Sequence, residues 1–339
     1  MYGWTVDRGR TRESCSFPVI FGYEQGLVAH PASASLMFVF GSSYGDIGNV
    51  DPHDSWRPYP WTKPYGETWP GVPNGRYSNG HVLSDVLGAA LQTAPSVSIT
   101  QLHGGINGTV GISFAVGGAG VLSAYGYPPI SAQIDQFQRI ASSFTPEQLA
   151  SAVVLYTTAG DDYFYYINVQ KSPIETIYPL TVNVGKQISV DLIRLYQLGL
   201  RKFAVTYLPP TGCLPIATAN SSYSSCNQTW SANVAEPHNA RVFRNVLGLR
   251  HYFHNGSIVN LDLYTAFTNV QSSLGGLRPC CVGKDANSKC GSVGAGGTPA
   301  YTVCPNPNSK FFWDDLIHPT EAGWQAVVNQ LQSALGPLR

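Results

Sequence analysis

The stretch Leu36-Met-Phe-Val-Phe-Gly-Ser-Ser-Tyr-Gly-Asp-Ile-Gly-Asn49 decides how the rest of the chain is read. Leu36–Phe40 is a short apolar run closed by Gly41, the pattern of a strand buried on both faces. Similar runs follow at Ile112–Val116, Val153–Thr157, Phe203–Leu208 and Ile258–Leu263. Helical signals fall between and after them. Thr145-Pro-Glu-Gln148 combines an N-cap, a proline at the first helical position and a capping-box Gln. Val184, Ile188, Leu192 and Leu195 mark one face of a long helix that stops near Gly199. A further helix is expected around Asn239–Leu249. The last is capped by Thr320, with Trp324, Val327, Val328, Leu331 and Leu335 as its apolar stripe. Strands alternating with helices predict an α/β fold with a mainly parallel sheet. No internal repeat, linker or charge run interrupts it, so residues 36–339 are expected to form one domain and residues 1–35 an extension outside it.

Composition narrows the function. The chain has 339 residues, 20 Lys and Arg against 20 Asp and Glu, and only 12% charged residues. Balanced, sparse charge gives no footprint for nucleic acid or an anionic membrane surface. A 43% hydrophobic content excludes a disordered chain. Val86–Ile134 carries no Asp, Glu, Lys or Arg, but Pro95, Gly104-Gly105, Gly117-Gly118 and Pro128-Pro129 break it into pieces too short to span a bilayer. A soluble monomer is expected.

Seven cysteines, Cys15, Cys213, Cys226, Cys280, Cys281, Cys290 and Cys304, show no C-x-x-C spacing, which argues against a metal site and for disulfides. Sequons at Asn107, Asn220, Asn227 and Asn255 agree with a secreted glycoprotein, although no signal-peptide h-region is visible before Ser35. His251 and His254 lack an acidic partner at metal-site spacing. The glycines from Gly291 to Gly297 lack a P-loop lysine and read as a loop, and the Tyr163–Tyr166 cluster reads either as core packing or, in part, as the lining of an acyl or glycan groove.

In an open parallel sheet, ligands gather beyond the carboxyl ends of the strands. The segments just after the predicted strands are Gly41–Asn49, Gly117–Gly120 and Thr158–Tyr163. Trp313-Asp314-Asp315-Leu316-Ile317-His318 precedes the last helix. Each has an ordinary reading as a turn, a close packing or a cap. Together they supply a serine in a glycine-flanked turn, backbone N–H donors, and a carboxylate three residues before a histidine, the parts acyl transfer requires.

Phe38–Asn49 resembles the first block of the GDSL esterase/lipase family (SGNH hydrolases) in its plant form. Gly75-Arg-Tyr-Ser-Asn-Gly80, Ser113–Gly120, Leu208–Pro215, Cys280-Cys281 and Phe312–Thr320 follow in the family's order. The resemblance implies a single-domain α/β/α sandwich and a carboxylic ester hydrolase needing no metal or organic cofactor. Ser43 would be the nucleophile, His318 the base and Asp315 its orienter, with an oxyanion hole from the N–H groups of Ser43 and Gly118, Gly117 being the adjacent candidate. Its substrates would be small-molecule or polysaccharide esters. Cys213 is expected to pair with Cys226, while the remaining four loop cysteines keep several connectivities.

The chain departs from the family pattern twice. The residue before the nucleophile is Ser42 instead of Asp, which still braces a turn. The oxyanion-hole Asn is Asp161, and an ionised carboxylate accepts where an amide donates. Protonation of Asp161 by burial, or re-pairing through Asp162, would restore a donor. Three functions therefore stand on the sequence: an ester hydrolase, an acyltransferase with the same triad, and a catalytically impaired carbohydrate- or lipid-binding protein.

Overall fold

The computed structural model describes residues 35–53, 59–102, 105–106 and 108–339. Cys15, Asn107 and the 1–35 extension up to residue 34 lie outside them. Six parallel strands form the central sheet: β1 (Met37–Gly41), β2 (Ser96–Ser98), β3 (Gly111–Ser113), β4 (Val153–Thr157), β5 (Lys202–Thr206) and β6 (Ser257–Leu261). Their spatial order is β2-β3-β1-β4-β5-β6, which puts β1 near the middle. β1 pairs with β4 along its whole length, Met37 opposite Val153 and Gly41 opposite Thr157.

Residues alternate between the two faces along each strand, yet both faces are covered. Phe38, Phe40, Val154, Tyr156, Phe203 and Val205 pack into one core layer. Helices α2 (Ile130–Ile140), α5 (Tyr178–Gln197) and α6 (Glu236–Tyr252) close it through Phe137, Leu192 and Val242. Met37, Val39, Val153, Leu155 and Ala204 face the other layer. There α1 (Leu83–Leu91), α7 (Leu263–Val270) and α8 (Glu321–Leu331) contribute Leu87, Phe267 and Trp324. This is an α/β/α sandwich. Short helices α3 (Pro146–Ser151) and α4 (Asp161–Phe164) flank β4.

The local signals explain several boundaries. Thr145 and Gln148 cap α3 reciprocally, and the Thr320 hydroxyl accepts the Gly323 N–H at the start of α8. β5 and β6 end earlier than the apolar runs suggest, at Thr206 and Leu261, because Pro209-Pro210 and the Asp262 cap of α7 redirect the chain. β3 spans only Gly111–Ser113 before Asn49 takes the carbonyls of Ser113 and Ala115. β2, α1, α2 and α7 lie outside the strands and helices that the sequence predicts.

Outside the sheet, β7 (Cys281–Gly283) and β8 (Tyr301–Val303) make an antiparallel hairpin. Cys280–Cys304 and Cys281–Cys290 cross-link it, while Cys213 pairs with Cys226 as expected. Among the described residues no helix is long and apolar enough to cross a membrane, and no group of His, Cys, Asp or Glu is placed to hold a metal.

Candidate active site

The turn after β1 is built by close backbone approach. Gly41 has φ +146°, and a Cβ there would lie 1.7 Å from the Thr157 carbonyl oxygen, so only glycine fits. The Gln133 side chain from α2 clamps the same residue, accepting from Gly41 N–H and donating to Gly41 C=O, both at 2.8 Å. Ser42 occupies the position where the resemblance expects Asp. Its hydroxyl accepts the Ala159 N–H at 3.0 Å and ties the β1 turn to the β4 turn. Ser43 follows, fully buried.

Asp46 organises the rest of this loop. One carboxylate oxygen accepts the N–H groups of Gly48 and Asn49; the other accepts those of Val50 and Gly117, the last at 2.7 Å. Burial pushes its carboxyl up to about 6 against these four bonds. The Gly117 N–H is therefore occupied. Gly118, in the left-handed region at φ +89°, is the glycine of the pair whose N–H Asp46 does not take. A Cβ on Gly117 would lie 2.2 Å from the Tyr77 ring.

The histidine loop approaches from the other side. His318 Nε2 lies 2.8 Å from Ser43 Oγ, and His318 Nδ1 lies 2.5 Å from Asp314 Oδ2. Ser43, His318 and an aspartate thus form one hydrogen-bonded relay, but the aspartate is Asp314. Asp315, the residue at the expected spacing, does not bond the imidazole. Its carboxylate accepts the Gly283 N–H at 3.1 Å and the Cys290 N–H at 3.2 Å, inside the disulfide hairpin. The physical reason is the turn itself. Asp314 Oδ1 accepts the N–H groups of Leu316, Ile317 and His318, and Trp313 N–H donates to His318 C=O at 2.7 Å. That tight loop brings residue i+4 back over Asp314 and turns Asp315 outward to the hairpin.

The two carboxyls respond oppositely. Burial works to raise Asp314, yet the His318 charge and the bonds from His318 and Tyr65 hold it below the usual carboxylate range. Burial first, and then the charge of Asp314, push Asp315 up against its two backbone bonds. The imidazole is packed as well as bonded. Tyr77 stacks on it with centroids 4.8 Å apart, and Tyr44 donates its hydroxyl to Ile317 C=O at 3.0 Å. Tyr77 belongs to the Gly75–Gly80 motif; Tyr65 and Gln133 carried no identified sequence signal.

Asp161 stands at the start of α4, directly after Gly160 in the left-handed region, and is buried. It is close enough to the nucleophile turn that its charge raises the Tyr44 hydroxyl's pKa, after burial. Asp162 does not re-pair this position. Its carboxylate accepts the Val121 and Leu122 N–H groups, both at 2.8 Å, and burial carries it up to about 7. Asp162 thus pins the glycine loop, and a Cβ on Gly120 would lie 2.6 Å from its oxygen. His251 and His254 are exposed, Tyr163 and Phe164 are core residues, and the 291–297 segment is mostly loop.

A serine hydroxyl, an imidazole and a carboxylate in sequence, at the carboxyl edge of a parallel sheet, is the arrangement serine hydrolases use. Residues 37–331 match the GDSL-like lipase/acylhydrolase family model. Among curated relatives, GDSL esterase/lipase At5g03610 of Arabidopsis thaliana is 36% identical, the alignment covering 93% of this chain and 90% of the relative. GDSL esterase/lipase At3g09930 of the same plant is 33% identical, with 88% of each chain covered. The chain belongs to the GDSL esterase/lipase family, which supports an ester-hydrolysing activity in general terms.

Proposed function

We propose that this protein is a carboxylic ester hydrolase working through Ser43, His318 and Asp314. The continuous relay from Ser43 Oγ to His318 Nε2 to Asp314 Oδ2 carries the reading. Ser43 attacks the ester carbonyl carbon while Nε2 takes its proton. Asp314 accepts the Nδ1 proton's hydrogen bond, which fixes the tautomer and stabilises the imidazolium. The oxyanion accepts from the Ser43 and Gly118 N–H groups. As the tetrahedral intermediate collapses, the alcohol leaves with the proton from His318, giving an acyl-serine. Water then attacks that ester and loses a proton to His318, and as the acyl–Oγ bond breaks His318 returns that proton to Ser43 Oγ, releasing the acid and restoring the enzyme.

Asp161 lowers the rate in this scheme. Where a third donor is expected, the chain has a carboxylate, and one missing oxyanion-hole donor is worth ~10²–10³ in kcat. The enzyme is a slow hydrolase of small-molecule or polysaccharide esters. Three disulfides support a secreted setting, with exposed Asn220 and Asn255 as glycan acceptors.

The test is reaction with a fluorophosphonate probe together with p-nitrophenyl acetate hydrolysis. Labelling and turnover are expected in the natural chain and absent in Ser43→Ala. A folded natural chain that neither labels nor turns over would overturn the hydrolase reading and leave a binding protein. Product analysis with an added alcohol separates hydrolysis from acyl transfer.

A further inference from the structure

We propose that Tyr65 is a positioning residue for this reaction, holding the Asp314 carboxylate in the orientation that serves His318. The inference rests on the hydrolase reading above. The Tyr65 hydroxyl donates to Asp314 Oδ2 at 2.9 Å, the same oxygen that faces His318 Nδ1. The other oxygen is occupied by the three backbone N–H groups of residues 316–318. Tyr65 therefore completes the set of donors around a carboxylate that is fully buried.

Its ring is anchored for this task. Tyr65 is buried in a small cluster with Cys280, Cys281, Cys290 and Trp313, edge-on to Trp313 at 6.1 Å and to Tyr77 at 6.4 Å. A phenol O–H in such surroundings needs a partner, and the partner here is the working oxygen of Asp314. The hairpin fixes the far side of the same loop. Cys280 N–H donates to Phe312 C=O and Cys281 N–H to Trp313 C=O. One cluster thus holds Asp314 toward the imidazole through Tyr65 while Cys290 and Gly283 hold Asp315 away from it.

The electrostatic consequence has a definite sign. The groups around Asp314 are His318, Tyr65, Tyr44 and the neighbouring Asp315. Removing the Tyr65 donor leaves a desolvated carboxylate with less support for its charge, so it holds a proton more readily.

In Tyr65→Phe, kcat for p-nitrophenyl acetate is expected to fall about tenfold, with KM unchanged. The acid limb of the kcat/KM profile should move to higher pH. Incorporating a ring-fluorinated tyrosine at position 65 keeps the packing and strengthens the donor, so the limb should move to lower pH. In an Asp314→Asn background, Tyr65→Phe should have no further effect on kcat. A profile that stays in place in both position-65 variants would overturn the proposal, even if kcat falls, because a merely structural role leaves it unmoved. Hydrolysis lost in Ser43→Ala but unchanged in Tyr65→Phe overturns the role of Tyr65 alone. Hydrolysis that survives Ser43→Ala overturns the underlying reading and this inference with it.

Discussion

The acid–base half of the site and its oxyanion half are built to different standards. His318 is bonded at both ring nitrogens and stacked by Tyr77, and its aspartate receives five donors. The proposed oxyanion half has a well-braced glycine loop, with Asp46 on Gly117 and Asp162 on Val121 and Leu122, but the family resemblance puts Asp161 where an amide is expected. The backbone of both halves is braced, and in the proposed mechanism the difference between them comes down to the Asp161 side chain. In the proposed mechanism proton transfer is fully supported, whereas the oxyanion keeps the Ser43 and Gly118 N–H groups and lacks a third donor, which would make the enzyme slow.

The acid–base half can be broken at one aspartate and spared at the next. Asp314→Asn should lower kcat by ~10⁴, because an amide on Nδ1 selects the wrong tautomer. Asp315→Asn should leave kcat within a few-fold, since among the described residues its oxygens accept from the Gly283 and Cys290 N–H groups and not from His318. Steady-state hydrolysis of p-nitrophenyl acetate distinguishes them, and equal losses would contradict the assignment.

The hairpin behind that half is a stability element. Replacing both Cys281 and Cys290 by Ser, which opens a link across a sequence separation of 9, should lower unfolding free energy by about 2–3 kcal/mol in chemical denaturation. No change in midpoint would show that the hairpin holds its shape through Asp315 and β7–β8 pairing alone.

The smallest effect belongs to the braces of the oxyanion half. Asp46 at about 6 and Asp162 at about 7 sit above an unfolded carboxyl, as does Asp191, at about 6, elsewhere in the sandwich. Groups raised on folding contribute stability that is full below the unfolded value, roughly pH 4, and is lost as pH rises through 6–7. Asp314 and Asp85 are held low and act in the opposite sense below pH 4, and His238, which burial lowers to about 3, offsets part of the carboxyl effect between pH 8 and pH 5. The thermal midpoint should therefore be higher at pH 5 than at pH 8, and a midpoint that rises over this interval would contradict the burial of those carboxyls.

Much of this architecture was legible because it is local. β1, β4 and the long helix α5 follow from apolar periodicity, and the Ser43–His318 juxtaposition follows from glycine-rich turns at strand ends and from the family motifs. The choice between Asp314 and Asp315 was not legible. A carboxylate three residues before a histidine is the expected spacing, but the actual partner is selected by a turn closed through Asp314 Oδ1 and by a hairpin that draws Asp315 away. The disulfide connectivity forming that hairpin cannot be deduced from cysteine spacing. Tyr65 contacts Asp314 across 249 residues, and Gln133 reaches Gly41 across 92. Such pairings depend on packing, which periodicity does not encode.

Asp161→Asn is the most direct test of the contrast between the two halves. The substitution changes one atom group at a buried turn and leaves the relay of Ser43, His318 and Asp314 untouched. kcat for p-nitrophenyl acetate should rise by about 10², with the fluorophosphonate labelling rate rising alongside it. A folded Asp161→Asn protein whose kcat stays the same or falls would contradict the claim that the oxyanion half limits this enzyme.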